Sequence, residues 1–232
     1  MSMPYIFRAG SAARRFTAIF AICLLLFSLG ACGGRGGPAD PAGGGEPGNP
    51  NDRKLAYGVT VAVPADWSVV SSLSADAAPK AALDARRQKG EQVQLLEASG
   101  APGARGLQPS ISLFLVNQAD AFIPRNFAEK LNEEEFAAMA RKIVEREKTF
   151  VKKNKNHNTL LEVQFTRDSI GGNLALMQRM LVVGPDGKPV RFLGWDVYLQ
   201  NGAGLTVRCA YDQESPGVES AVTNIVKSLR VR

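Results

Sequence analysis

The sequence predicts an α+β fold, an antiparallel β-sheet flanked by helices, in one domain over residues 53–232. Three observations carry this. Residues 132–150 hold a capped, amphipathic helix pattern. Four alternating segments follow between residues 161 and 211, parted by Gly-rich turns, and a second amphipathic pattern ends the chain. Consecutive strands joined by turns that tight are antiparallel. A helix with one apolar stripe must bury it against another element.

Taken in order, Tyr57, Val59, Val61 and Val63 alternate with smaller residues, as in a half-buried strand. Pro64-Ala65-Asp66 supplies turn residues. Trp67, Val69 and Val70 begin a returning strand, so the segment reads as a hairpin. Residues 76–87 are Ala-rich and read as a helix, with Pro79 in its first turn. Residues 93–98 read as a strand, 100–109 as a Gly/Pro loop, and 111–116, apolar on both faces, as a central strand.

The long helix follows. Asn132 is its N-cap and Glu135 completes a capping box. Glu133, Glu134 and Glu135 sit at the positive end of the helix dipole, with Lys148, Lys152 and Lys153 near the negative end. Phe136, Met139, Ile143, Val144 and Phe150 form a stripe read as core. Leu161, Val163 and Phe165 alternate in the next strand, and Gly171-Gly172 turns it into residues 174–183. Gly184-Pro185-Asp186-Gly187 leads to 190–199, and Asn201-Gly202-Ala203-Gly204 to 205–211. Ser215 reads as the cap of a last helix that has Pro216 at its first position and Val218, Val222, Ile225 and Leu229 as its buried stripe.

This pattern resembles the PsbP/DcrB-like superfamily. The likeness rests on Tyr57-Gly58-Val59-Thr60-Val61-Ala62-Val63-Pro64-Ala65-Asp66-Trp67, where a strand runs into a Pro-x-x-Trp turn. It rests also on the strand Leu205-Thr206-Val207-Arg208 and the closing Ile225-Val226-Lys227-Ser228-Leu229. The resemblance implies an α/β/α sandwich and a binding or assembly accessory rather than an enzyme. The shared motifs are structural, so no binding residue transfers with them.

Ahead of the domain stands a leader. Arg8, Arg14 and Arg15 precede a charge-free run of 14 residues, 16–29. That is short of the roughly 20 needed to span a bilayer and fits the apolar region of a secretory signal. Leu29-Gly30-Ala31-Cys32 resembles the lipobox of bacterial lipoproteins. The likeness implies removal of residues 1–31 and a diacylglycerol on the Cys32 thiol, with the membrane as a partner through that lipid. An uncleaved anchor and an ordinary signal peptide are the competing readings. Gly33, where an Asp would favour the inner membrane, leans toward the periplasmic side of an outer membrane in the cell envelope.

Residues 32–52 are the lipidated cysteine and a Gly/Pro-rich linker without apolar period. A chain of that length spans roughly 25 Å. Gly34-Arg35-Gly36-Gly37 follows no strand and opens no helix, so it is linker rather than a phosphate loop.

The chain carries 28 Lys and Arg against 22 Asp and Glu. Three of the arginines lie in the leader, so the remainder has a small positive excess. That is no clustered basic face for nucleic acid. With Cys23 in the leader and Cys32 lipidated, Cys209 is left without an intrachain partner. Its phase with Val207 and Tyr211 points it into the core, as a small hydrophobe rather than a nucleophile.

His157, among Lys152, Lys153 and Lys155, reads as a solvated loop residue, and no metal-ligand spacing or cofactor motif occurs. Serines lack a nucleophile-elbow context. Trp67 and Trp195 read as core. Phe122, Ile123 and Phe127 lie between a strand and the long helix and, if exposed, would form a docking patch.

The expected function is therefore non-catalytic: a membrane-anchored lipoprotein domain that binds an envelope protein. The alternative is an extracytoplasmic receptor for a small ligand or lipid, using a cleft between sheet and helix. An enclosed apolar pocket would favour the alternative, and a flat exposed patch the first.

Overall fold

The structure, a computed structural model, describes residues 51–102, 107–121, 123–153, 159–183, 187–200, 202–215 and 217–231. These lie within one unit, Pro47–Arg232. Cys32, the linker, Phe122, His157 and Pro216 lie outside the described residues, as do Gly184-Pro185-Asp186 and Asn201.

Ten strands form two sheets among the described residues. The smaller sheet is built from β1 (Asp52–Lys54), β2 (Val59–Ala62) and β10 (Arg230–Val231), with β2 in the middle. The larger sheet has the order β3-β4-β5-β9-β8-β7-β6. Its strands are β3 (Ser68–Ser72), β4 (Val93–Ser99), β5 (Ser110–Asn117), β6 (Thr159–Ile170), β7 (Asn173–Val183), β8 (Pro189–Tyr198) and β9 (Ala203–Asp212). Every pairing is antiparallel. Four helices accompany them: α1 (Lys80–Gln88), α2 (Arg125–Lys130), α3 (Glu133–Lys153) and α4 (Val218–Lys227).

Strand alternation sorts the large sheet into two covered faces. Val197, Val207, Cys209, Leu113 and Leu193 point to one face, where they meet Leu83 of α1, Val222 and Ile225 of α4, and Val59 and Val61 of the small sheet. Tyr198 and Leu176 point to the other face and pack with Ala128 of α2, Phe136 of α3 and Ile123. The result is the predicted α+β layering, with helices on both sides of an antiparallel sheet. Each fully buried Leu or Ile contributes roughly 1.5–3 kcal/mol, so the larger cluster dominates stability.

Several expectations are corrected. Residues 57–70 are not a hairpin. The turn is present, with the Trp67 amide donating to the Pro64 carbonyl at 3.0 Å. The strands on its two sides, however, join different sheets: β2 pairs with β1 and β10, and β3 with β4. Tyr57 is not a strand residue either. It sits at φ 63° in a tight 3-10 turn, a left-handed conformation costly for a bulky residue. Its hydroxyl donates to Asp84 of α1 at 2.9 Å and Lys80 lies 4.7 Å over its ring, which holds the turn against α1.

The first helix starts at Lys80, after Pro79 as its N-cap, rather than at residue 76. In β6 a register shift between Leu160 and Glu162 turns Leu160 inward and leaves Leu161 47% exposed, so the alternation read through Leu161 breaks there. Ser215 does not cap the last helix. Gly217 does, at φ 78°, and the helix begins at Val218. The capping box is formed as read: Asn132 Oδ1 accepts the Glu135 amide at 2.9 Å, and Glu135 Oε2 accepts the Asn132 amide at 2.8 Å.

Candidate functional site

The capping box fixes where α3 starts, and that start sets its pairing with β6, the last strand of the large sheet. Phe136 of α3 meets Phe165 of β6 with ring centroids 6.5 Å apart. The Arg167 guanidinium lies 5.6 Å over the Phe136 ring. Arg167 also donates through Nε to the Ala128 carbonyl at 2.8 Å and through Nη2 to the Leu131 carbonyl. These carbonyls belong to the end of α2 and the loop after it, so one arginine ties strand, loop and helix together. Tyr198 donates to the Ile123 carbonyl at 2.6 Å from beneath.

Between α3 and β6 runs an open groove of about 680 Å³. Phe136, Ala137, Ala140 and Val144 line the helix side, and Leu161, Val163 and Phe165 the strand side. Charged residues border the apolar centre. Glu133, Glu145 and Glu162 face Arg141 and Arg167 there, and Arg167 is already turned onto backbone carbonyls. Three carboxylates and two guanidinium groups thus border the groove. The stripe of α3 read as core is thus divided: Phe136 is buried, while Met139, Ile143 and Val144 are only half-buried.

On the same face of the sheet, β8 carries a buried carboxylate, Asp196, 1% exposed. Gln178 Nε2 donates to it at 3.0 Å and Thr206 Oγ1 at 2.8 Å, while Arg208 approaches Oδ1 at 3.4 Å. Burial of such a charge is tolerable because donors from both neighbouring strands, β7 and β9, surround it. Sequence reading missed this cluster, since the donors lie 10 to 18 residues from Asp196 and meet it only through strand register.

Of the docking patch expected from sequence, one described residue is buried and the other exposed. Ile123 is 4% exposed and belongs to the second core cluster, because its backbone carbonyl is held by Tyr198. Phe127 is 44% exposed on α2, and Phe122 lies outside the described residues. Cys209 is buried, as its phase implied, and burial pushes its thiol up to about 12. Trp67 and Trp195 are both core. Among the described residues no group of three or more His, Cys, Asp or Glu side chains could hold a metal ion, and no helix is long and apolar enough to cross a membrane.

Fold and groove together define an α+β domain with an open, apolar-centred trough at one sheet edge. No protein-family model matches the chain, and no curated protein does. Solved structures similar to it include the cyanobacterial PsbP, CyanoP, of Synechocystis sp. PCC 6803, at 14% identity over 88% of this chain and 99% of that one, with a TM-score of 0.44. The Ran-binding protein Mog1p of Saccharomyces cerevisiae is 14% identical over 78% of this chain and 95% of that one, TM-score 0.40. A protein of Bacteroides thetaiotaomicron VPI-5482 is 8% identical over 78% of this chain and 48% of that one, TM-score 0.36. Likeness at that level transfers no role to individual residues here.

Proposed function

We propose that this chain is a lipid-anchored protein of the bacterial cell envelope whose PsbP/DcrB-like domain docks a segment of a partner protein in the α3–β6 groove, without catalysis. The observation that carries the docking reading is the groove itself. It is open along its length and apolar in the middle, with an exposed leucine at the sheet edge. Small-ligand sites enclose most of their ligand, whereas an open trough beside a helix suits an extended or helical segment with apolar anchors. The lipobox-like Leu29-Gly30-Ala31-Cys32 and the linker support attachment to the envelope, with the outer membrane favoured by Gly33.

The test places a photo-crosslinking residue at Leu161 in the groove or at Val70 on the opposite edge of the sheet, both exposed. Crosslinking in living cells is followed by mass spectrometry. The expected result is one envelope protein captured from Leu161 and not from Val70. Capture should be lost when Ala140→Arg fills the groove with a cation. Equal capture from both edges, or none from Leu161, would overturn the docking reading.

A further inference from the structure

A second concavity lies on the other face of the large sheet, where α4 begins. The register places Arg191 of β8 opposite Tyr211 of β9 and one pleat away from Arg179 of β7, all on one face. These three line a pocket of about 390 Å³ together with Ser215, Gly217 and Glu219. Its chemistry is donor-rich. Ser215 is 9% exposed and its hydroxyl has no hydrogen-bond partner, although its amide is fixed to the Asp212 carbonyl at 2.9 Å. The Nε of Arg179 is likewise buried and unpartnered. No side chain caps α4, and Gly217, Glu219 and Ser220 at its start line the same pocket.

One carboxylate lines the pocket. Glu219 takes a hydrogen bond from Tyr211 at 2.9 Å and pairs with Arg179. Tyr211 stays protonated, because burial pushes it up to about 12, so it donates without adding negative charge. Two arginines against one glutamate leave a net positive charge, and the helix dipole adds roughly half a charge more. A buried hydroxyl and a buried guanidinium nitrogen without acceptors each cost free energy.

From this we infer that the pocket formed by Arg179, Arg191, Ser215 and the start of α4 is an anion site that binds the phosphate group of a small phosphorylated ligand. Arg191 supplies a planar fork of donors suited to phosphate oxygens, and the helix start supplies backbone N–H groups and dipole. The concavity is open and leaves room for an organic substituent on the phosphate. That substituent belongs either to a soluble phosphate ester or to a phospholipid headgroup. This site is independent of the groove and of the partner proposed for it.

The test uses the protein as cells make it, purified in a non-ionic detergent, with inorganic phosphate as the probe. The unfolding midpoint should rise with phosphate and not with chloride at equal ionic strength. Arg191→Gln and Ser215→Ala should each weaken phosphate binding by about tenfold or more. Glu219→Gln, which removes the competing carboxylate, should strengthen it. A second arm floats the Cys32→Ala chain with phosphatidylcholine vesicles, with or without phosphatidylglycerol. Preference for the anionic vesicles that is lost in Arg191→Gln assigns the phosphate to a headgroup. Phosphate binding without that preference assigns it to a soluble ester. A midpoint indifferent to phosphate, or phosphate binding unchanged in Arg191→Gln, overturns the site.

Discussion

The thiol of Cys209 points inward from β9 between Ile111 on β5 and Leu193 on β8, its partners across the two ladders. Burial raises its pKa from 9.0 to about 12. The folded protein therefore keeps the proton over a range in which the unfolded chain has released it. Below pH 9 both states hold the proton, so the group adds no pH dependence. Above it the unfolded state binds fewer protons, and stability falls as pH rises by about 1.4 kcal/mol per unit until the folded thiol also ionises. Tyr211, whose pKa is likewise raised to about 12, and Tyr198, also raised by burial, add to the fall only above pH 10. Denaturant unfolding between pH 9 and 10 isolates the thiol. The wild type should lose stability across that interval and Cys209→Ala should not, from a lower starting value because it leaves a small cavity. Equal slopes would mean that the thiol is not desolvated. The inward phase of Cys209 was legible in Val207, Cys209 and Tyr211. The burial of Ile123 was not, because its place depends on a carbonyl held by Tyr198, 75 residues away.

At the level of elements, the β6–β7 hairpin closes with Gly171 and Gly172, at φ 56° and 78° between the paired residues Ile170 and Asn173. Two consecutive left-handed positions make the turn that suits the strand twist. The two glycines differ in surroundings. A Cβ on Gly171 would come 2.9 Å from the Leu229 carbonyl oxygen, whereas one on Gly172 would meet nothing within 4 Å. Gly172→Ala should therefore cost about 1–2 kcal/mol, the strain of a left-handed alanine. Gly171→Ala should cost clearly more, since backbone must also shift. Thermal unfolding of the two variants measures the difference, and equal midpoints would deny the contact between this turn and the end of α4. The Gly-Gly turn was plain in the sequence, as were the capping box of α3 and the meander. The Leu229 contact was not, and neither were the partners of β2. Alternation from Val59 to Val63 reports a half-buried strand but not which strand lies beside it. Here the neighbours are β1, just upstream, and β10 at the far end of the chain, so a local turn invited a local pairing that does not form. The same limit hid the bulge at Leu161 and the start of α4 at Gly217, where a capping serine and proline lay two and one residues earlier in the chain.

For the whole molecule, the small sheet gathers the start and the end of the domain: β1 and β10 flank β2, with Asp52 paired to Ala62 and Arg230 to Thr60. The Val63 amide donates to the Asn51 carbonyl at 3.0 Å, and Ser228 Oγ accepts the Ala62 amide at 2.8 Å. The proposed lipid tether is joined to the domain through β1, and all three residues of that strand are exposed. Among the described residues the core clusters begin at Leu55. Anchoring and folding are expected to be separable. Each buried methylene of an acyl chain contributes about 0.8 kcal/mol to membrane attachment, and two or more chains make it stable. In the proposed anchor all of that would rest on a single thiol, Cys32. Cys32→Ala should therefore move the protein from the membrane fraction to the soluble one while leaving its unfolding midpoint unchanged. The wild type should be freed only by detergent. Fractionation and thermal unfolding of the same two preparations read both halves of the prediction. A variant that stays with the membrane would point instead to an uncleaved leader, with the 14-residue apolar run holding it there. A released variant with a lowered midpoint would mean that the linker contributes to the fold.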